Sequence, residues 1–227
     1  ILHRDRKADL SAIEEDFELI RSAGTQCVTF NTDALNKQKR EQVFNQITTS
    51  LGKGEKIKVV VHSIAKGNLK PMTGDGPLLE HEDFLLTLDA MAVSLYDWMK
   101  ILLQQKLTHE DCRVIAFTSV GSSRIIPNYA AVSSAKAALE SICRNMAHAF
   151  APMGVRVNCI QAGVTDTRSL RMIPGSDELL RVARERNPSG RLTLAEDVAN
   201  AVYLLTLDEA QWITGTTITV DGGESLS

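Results

Sequence analysis

The chain has 227 residues, 44% of them apolar, and 25 Lys plus Arg against 28 Asp plus Glu give a formal charge of −3. That is enough for one sizeable core, and the absence of a basic stripe argues against nucleic acid or an anionic membrane as a main partner. No apolar run reaches the ~20 residues that span a bilayer and no signal peptide opens the sequence, so a cytoplasmic protein without membrane insertion is expected.

The four cysteines, Cys27, Cys112, Cys143 and Cys159, are scattered without a C-x-x-C pair, and the five histidines are dispersed. Reduced, mostly buried thiols and no metal site are expected. In chain order, Ile1-Leu-His reads as the tail of a strand entering the polar turn Arg4-Asp-Arg6. Asp9 to Ala23 has Ile13, Phe17 and Ile20 at helical spacing and stops at Gly24. Cys27 to Phe30 is a short strand, Lys37 to Leu51 a helix, and Ile57 to Val61 a buried strand running into His62-Ser-Ile-Ala65. Lys66 to Asp83 is a loop with three Gly and two Pro, and Phe84 to Leu107 a long helix. A strand from Cys112 to Thr118, a helix to about Phe150 and a strand from Val155 to Ile160 follow. A short helix over Asp177–Arg186, a capping box at Thr193-Leu-Ala-Glu196 with Val198, Val202 and Leu205 facing inward, and a strand over Thr216–Val220 complete the pattern. The alternation predicts an α/β fold, a doubly wound parallel Rossmann-like sheet in one domain over 1–227 with ligands at the carboxyl ends of the strands.

Tyr129 and Lys136 are seven residues apart. On a helix that is about 700°, so both side chains leave one face. Ser119 ends the Val114-Ile-Ala-Phe-Thr strand, which delivers its hydroxyl beside that helix. A phenol, an ammonium and a hydroxyl together predict proton transfer to a substrate oxygen, with the Lys charge lowering the Tyr pKa and the Ser orienting the phenol or the substrate. Taken alone, a Tyr/Lys pair at this spacing is more often a packed ring and a solvated charge.

Strand–helix alternation with a Tyr/Lys helix resembles the short-chain dehydrogenase/reductase family over essentially the whole chain. Most members carry Tyr-x-x-x-Lys; here the position four before Lys136 is Val132, which cannot donate a proton. Tyr-x6-Lys within Ile126-Pro-Asn-Tyr129 and Lys136-Ala-Ala-Leu-Glu140 resembles the bacterial enoyl-[acyl-carrier-protein] reductases. So do Val61-His-Ser-Ile-Ala65, Asp89 with Ser94, Gly154-Val-Arg-Val-Asn158, Asn187-Pro-Ser-Gly-Arg191 and the ending Gly215-Thr-Thr-Ile-Thr-Val-Asp-Gly-Gly223. The resemblance implies reduction of the 2,3-double bond of an enoyl thioester in fatty-acid biosynthesis. Ser119 stands where many enoyl reductases have a second Tyr, and Met91 replaces the helix Asn of ordinary members, which argues against their water-mediated proton relay. The family's Gly-rich turn, first strand and first helix have no counterpart here, so a truncated copy of a longer protein is expected.

By resemblance, Tyr129 supports the enolate, Ser119 assists and Lys136 grips the nicotinamide ribose. Arg4 and Arg6 fall at the end of the second strand, where two guanidinium groups suit a 2′-phosphate and hence NADPH; Asp5 between them favours the alternative, NADH. Asp33 contacts the adenine amine, unless it is an ordinary cap for a helix at Ala34. Ser63, Ile64 and Ala65 line the adenosine and ribose path. Ala162, Gly163, Thr165 and Thr167 serve the carboxamide and pyrophosphate, with Thr167 alternatively a turn residue. Residues 168–186, with Pro174-Gly175 and the apolar Met172 and Ile173, form a substrate lid. Arg181, Arg184 and Arg186 face an acidic carrier protein or, more simply, solvent. The implied partner is an enoyl thioester on acyl carrier protein or coenzyme A, and the implied assembly a homotetramer or homodimer. The rival readings are a 3-ketoacyl or other carbonyl reductase, and a catalytically silent member kept for binding or assembly.

Overall fold

The structure, a computed structural model, describes residues 1–173 and 175–226. The chain divides into two compact units, Ile1–Glu55 and Lys56–Ser227. In the first, β1 (Leu2–His3) and β2 (Phe30–Asn31) pair in parallel. The helices are α1 (Leu10–Ser22), which buries Phe17, and α2 (Lys37–Ser50), which buries Val43 and Phe44. The strand expected from Cys27 is realised only at Phe30–Asn31, because β1 presents just two residues to pair with. Asp33 does not cap a helix at Ala34. Its Oδ1 accepts from Leu35 N–H (3.0 Å) in a turn, and Asn36 caps α2 by accepting from Lys39 N–H (3.0 Å).

In the second unit, β3 (Ile57–His62), β4 (Thr108–Ser119), β5 (Val155–Ala162) and β6 (Thr217–Val220) form one sheet in that order, every neighbouring pair parallel. Side chains alternate across a strand. Ile115 and Phe117 therefore join Ile160, Ile218 and Leu205 under α8 (Ala195–Thr206), with Val198 and Val202 also facing in. The opposite face carries α5 (Ala130–Phe150), which packs on β4 and β5 and buries Leu139 and Cys143. Helices on both faces of a parallel sheet are the expected doubly wound architecture.

The long helix is interrupted. α3 (His81–Leu88) passes through a π turn at Asp89–Val93 into α4 (Ser94–Gln104), which buries Leu95 and Met99 completely. It begins earlier than expected because Asp83 Oδ2 accepts from Glu80 N–H (2.9 Å) and caps its first turn. After β5 come the one-turn α6 (Arg168–Arg171) and α7 (Ser176–Arg186). The capping box expected at Thr193 and Glu196 is shifted by one residue: Asp197 accepts from Leu194 N–H (2.9 Å), while a guanidinium pair with Arg191 (2.6 and 2.9 Å) holds that carboxylate in place. Cys112, Cys143 and Cys159 are buried and Cys27 half-buried, all four as free thiols.

Candidate active site

Parallel pairing places the carboxyl ends of β3 to β6 along one edge. Ser119 is in register with Ala162, and Ala162 with Val220, while His62 ends β3. The segments leaving this edge are Ser63–Ala65, the turn 120–129, the loop 163–167 and the turn 221–226. Ser119 and Ala162 end their strands, and the segments hold Tyr129, Gly163, Thr165 and Thr167, so these expected residues share the edge at which doubly wound sheets bind ligands.

Tyr129 stands immediately before α5 (φ −108°, ψ 6°) rather than inside it, and its carbonyl accepts from Ser133 N–H (2.7 Å). Asn128 before it has φ 60°, the left-handed conformation that turns the chain into the helix. The Tyr129 ring packs on Met91, Val132 and Ala135 and lies over Gly121, where a Cβ would come 2.8 Å from its Cε1. Burial pushes the phenol pKa up, and the Ser119 hydroxyl draws it partly back. The expectation that Lys136 lowers the Tyr pKa is therefore corrected: desolvation dominates, and the phenol stays protonated through the neutral range. Ser119 Oγ is itself buried and makes no well-formed hydrogen bond to a described residue; it stands close enough to the phenol to affect its titration but off ideal geometry.

Lys136 is buried and its Nζ donates to Phe117 C=O (2.7 Å). Burial pulls its pKa down from 10.5 to about 8 against the opposing pull of Cys159 and Glu140. One turn along α5, Glu140 Oε1 accepts from Thr118 Oγ1 (2.6 Å). His62 lies on the same side of the sheet and is buried. Ser94 Oγ donates to Ala90 C=O (2.8 Å), so it accepts from His62 Nε2–H (2.9 Å), which assigns the tautomer from the network. The π turn sets Ser94 against His62.

Burial, reinforced by the Lys136 charge, pulls the His62 pKa from 6.5 to about 4, so the ring is neutral. A base whose folded pKa is depressed contributes stability that is present above its unfolded value and lost as pH falls from about 6.5 through about 4. By pH 5 the loss is about 2 kcal/mol. Urea midpoints at pH 7.5 and 5.0 measure it: the gap between them is expected to shrink by that amount in His62→Asn, and an unchanged gap removes the assignment.

The loop after β5 is anchored from below. Gly163 N–H donates to Val220 C=O (3.0 Å), Val164 N–H to Glu224 Oε2 (3.0 Å) and Thr165 Oγ1 to Gly163 C=O (3.0 Å). Asp221 in turn accepts from Gly223 N–H (2.8 Å) and Ser225 N–H (2.9 Å), and Arg124 reaches Ser225 C=O from the Tyr129 turn. Thr167 caps α6 by accepting from Leu170 N–H (3.2 Å). A Cβ on Gly163 would sit 2.3 Å from Thr193 Oγ1 and 2.9 Å from Asp221 Cα. Gly163→Ala is accordingly expected to cost about 1–3 kcal/mol by urea denaturation. Thr193→Ala added to it is expected to restore only part of this, since the Asp221 backbone remains in the way.

Within the first unit, Arg4 Nη1 pairs with Asp33 Oδ2 at 3.2 Å, which joins two of the expected adenosine-side residues; Arg6 is exposed. Asp5 is held by His3 Nδ1 (2.7 Å) and accepts through its carbonyl from Asn31 Nδ2 (3.1 Å). In the expected lid, Arg171 is clamped by Asp166 (2.6 and 2.7 Å) and Asp177 (2.6 Å), and Met172 is 79% exposed while Ile173 is half-buried. Arg181 is engaged by Glu178 and Glu185 along the solvated face of α7. Pro174 lies outside the described residues. Among the described residues no cluster of three or more His, Cys, Asp or Glu side chains is placed to hold a metal ion, and no helix is long and apolar enough to cross a membrane.

Sequence reasoning did not single out Gly121, His62, Glu140 or Glu224 as parts of the site. Glu140, four residues after Lys136 and so on its helix face, carried a readable signal; the other three depend on tertiary packing.

Comparison with known proteins agrees with this fold. Residues 6–225 match the family model described as Enoyl-(Acyl carrier protein) reductase. The enoyl-[acyl-carrier-protein] reductase [NADH] FabI of Bacillus cereus is 30% identical over 200 residues, 88% of this chain and 76% of that protein. The 1-cyclohexenylcarbonyl-CoA reductase of Streptomyces collinus is 26% identical over 228 residues, all of this chain and 78% of that one. The crystal structure of the Bacillus cereus enoyl-acyl carrier protein reductase with NADP+ and indole naphthyridinone superposes with a TM-score of 0.87 at 26% identity, covering 100% of this chain and 85% of that chain. The chain belongs to the short-chain dehydrogenase/reductase family, in the branch that the enoyl-(acyl carrier protein) reductase model describes.

Proposed function

We propose that this protein reduces the 2,3-double bond of an enoyl thioester with NADPH, in fatty-acid biosynthesis. The observation that carries the reading is the placement of the phenol. The position four residues before Lys136 is Val132, 3% exposed and packed into the Met91–Ala135 cluster, so it can offer nothing to a substrate. Tyr129, nearly a full turn earlier, is a protonated phenol beside Ser119 at the strand ends. In conjugate reduction negative charge develops on the thioester oxygen, remote from the carbon that is reduced, and a donor displaced along the helix meets that oxygen.

The residues of the second unit fit a nicotinamide dinucleotide. Ser119 is a buried hydroxyl with unused hydrogen-bonding capacity, Gly163 brings bare backbone to the strand ends, and the Lys136 ammonium has N–H groups beyond the one given to Phe117. A bound nicotinamide would supply the hydride. Lys136 holds the ribose hydroxyls, Ser63, Ile64 and Ala65 line the adenosine and ribose path, and Ala162, Gly163, Thr165 and Thr167 serve the carboxamide and pyrophosphate. Ser119 orients the phenol or the thioester oxygen. Arg4 and Arg6 favour a 2′-phosphate and hence NADPH over NADH, with Asp33, the partner of Arg4, at the adenine. Residues 168–186 close over the acyl chain, which exposed Met172 contacts. The acyl group rides on acyl carrier protein or coenzyme A, and the working form is a cytoplasmic homotetramer or homodimer.

The carbonyl-reductase reading is disfavoured by the buried Val132 and by Met91, 4% exposed where a relay Asn would be needed. Loss of NADPH absorbance with crotonyl thioester, then with acetoacetyl thioester, separates the alternatives on full-length protein. Turnover of crotonyl thioester is expected. Turnover of acetoacetyl thioester alone makes the protein a carbonyl reductase, and turnover of neither makes it a silent member. The same assay with NADH tests the cofactor preference.

A further inference from the structure

We propose that Glu140 is a positioning residue for Lys136, tied by Thr118 to the end of β4 so that its carboxylate keeps the buried ammonium charged and aligned. The inference deepens the reading in which Lys136 holds a cofactor ribose, and it rests on that reading only for its consequence in binding.

The geometry is a double tie. Two consecutive residues of β4 hold two residues one turn apart on α5: Phe117 C=O accepts from Lys136 Nζ (2.7 Å), and Thr118 Oγ1 donates to Glu140 Oε1 (2.6 Å). Residues i and i+4 share a helix face, so the ammonium and the carboxylate are neighbours on the side of α5 turned to the sheet. Thr118 is 4% exposed, and a hydroxyl there without Glu140 would be an unmet donor. The carboxylate is thus fixed rather than one of several solvated rotamers.

The charge has a task because Lys136 is in an unfavourable place. The titratable groups acting on it come from three elements: His62 at the end of β3, Cys159 on β5, and Glu140 on α5 itself. His62 is neutral and gives the ammonium no counter-charge. The Cys159 thiol, 1% exposed, acts on the ammonium in the same direction as Glu140, but its own pKa is drawn down by the adjacent Cys143, so its charge depends on that pair rather than on Lys136. Arg144, one turn beyond Glu140, acts on Cys143 and Cys159 and carries the same sign as Lys136. Glu140, one turn along the same helix face and fixed by Thr118, is the carboxylate that opposes the burial of Lys136.

The test uses protein carrying 13Cε-labelled lysine, with the Lys136 resonance assigned by its absence in Lys136→Met. In the wild type this resonance is expected to titrate near pH 8. Glu140→Gln preserves the shape and an acceptor for Thr118 but removes the charge, and is expected to move the midpoint down by about 0.5 pH unit or more; Glu140→Asp is expected to move it back toward wild type. Should Glu140→Gln not fold, Thr118→Val releases the carboxylate and is expected to lower the midpoint in the same direction. An unchanged midpoint in the folded variant overturns the proposal. NADPH dissociation constants measured across the same pH range keep the two ideas apart. Weakened binding that follows the lowered midpoint supports both. A lowered midpoint with binding indifferent even to Lys136→Met upholds Glu140 as the partner of Lys136 and removes the ribose-holding role.

Discussion

Tyr129→Phe is expected to lower kcat with an enoyl thioester by about 10²- to 10⁴-fold, with KM nearly unchanged. In the proposed reaction the phenol hydroxyl has its value where charge builds on the thioester oxygen, so its loss falls on the transition state rather than on substrate binding. The fold is expected to survive, because the ring keeps its packing on Met91, Val132 and Ala135. A companion change reaches the same phenol without touching it. Gly121→Ala places a methyl group 2.8 Å from Tyr129 Cε1 and 3.2 Å from Ile126 Cδ1, so the ring must swing off Gly121. A displacement of about 1 Å costs on the order of 10²-fold in rate. Steady-state kinetics on both variants, with circular dichroism to confirm folding, check the pair. Full turnover in Tyr129→Phe would remove the phenol from the chemistry, and loss in Gly121→Ala would then need another cause.

Lys136→Met is expected to abolish turnover and yet raise stability at neutral pH. The folded-state pKa of about 8 lies below the ordinary 10.5, so folding disfavours the charged form. For such a base the penalty is present in full below pH 8 and is relieved as pH rises from 8 to 10.5. The interval corresponds to about 3 kcal/mol. Against it stands the bond to Phe117 C=O, whose loss costs about 1 kcal/mol. The variant is therefore expected to gain about 1–2 kcal/mol near pH 7 and to lose that advantage by pH 10.5. Urea denaturation at the two pH values measures both ends. A variant that is clearly less stable than wild type at pH 7 would mean that the ammonium is held for structure rather than for a ligand. Retention of a destabilising buried cation is what a functional site shows when stability is given up for activity.

Much of this architecture was legible because it is written in local pattern. The alternation of strands and helices, the inward stripe Val198, Val202 and Leu205, the end of α5 at Phe150 and the start of β5 at Val155 follow from periodicity and turn residues. What escaped the sequence depends on tertiary contact. Asp89-Ala-Met-Ala-Val93 has ordinary helical composition, yet forms a π turn beside the bond between Ser94 and His62. The box at Thr193 and Glu196 gave way to Asp197 because Arg191 fixes that carboxylate, while Thr193 turns inward against Gly163. At the site, spacing brought Tyr129 and Lys136 to one end of one helix and the strand brought Ser119 beside them. Spacing could not show that the Tyr stands outside the first turn, over a glycine, nor that burial would outweigh the lysine charge in setting its pKa. Those depend on how completely Met91, Val132 and Ala135 enclose the ring.

The role proposed for the Tyr129 phenol is in conjugate reduction rather than in reduction of a carbonyl. The most direct measurement incubates full-length protein with crotonyl thioester and NADPH deuterated at C4 of the nicotinamide, then locates the label in the product by NMR. Deuterium at C3 of a saturated butyryl thioester is the predicted result. No label in recovered crotonyl thioester, with deuterium appearing on the carbinol carbon when acetoacetyl thioester is supplied instead, would contradict it.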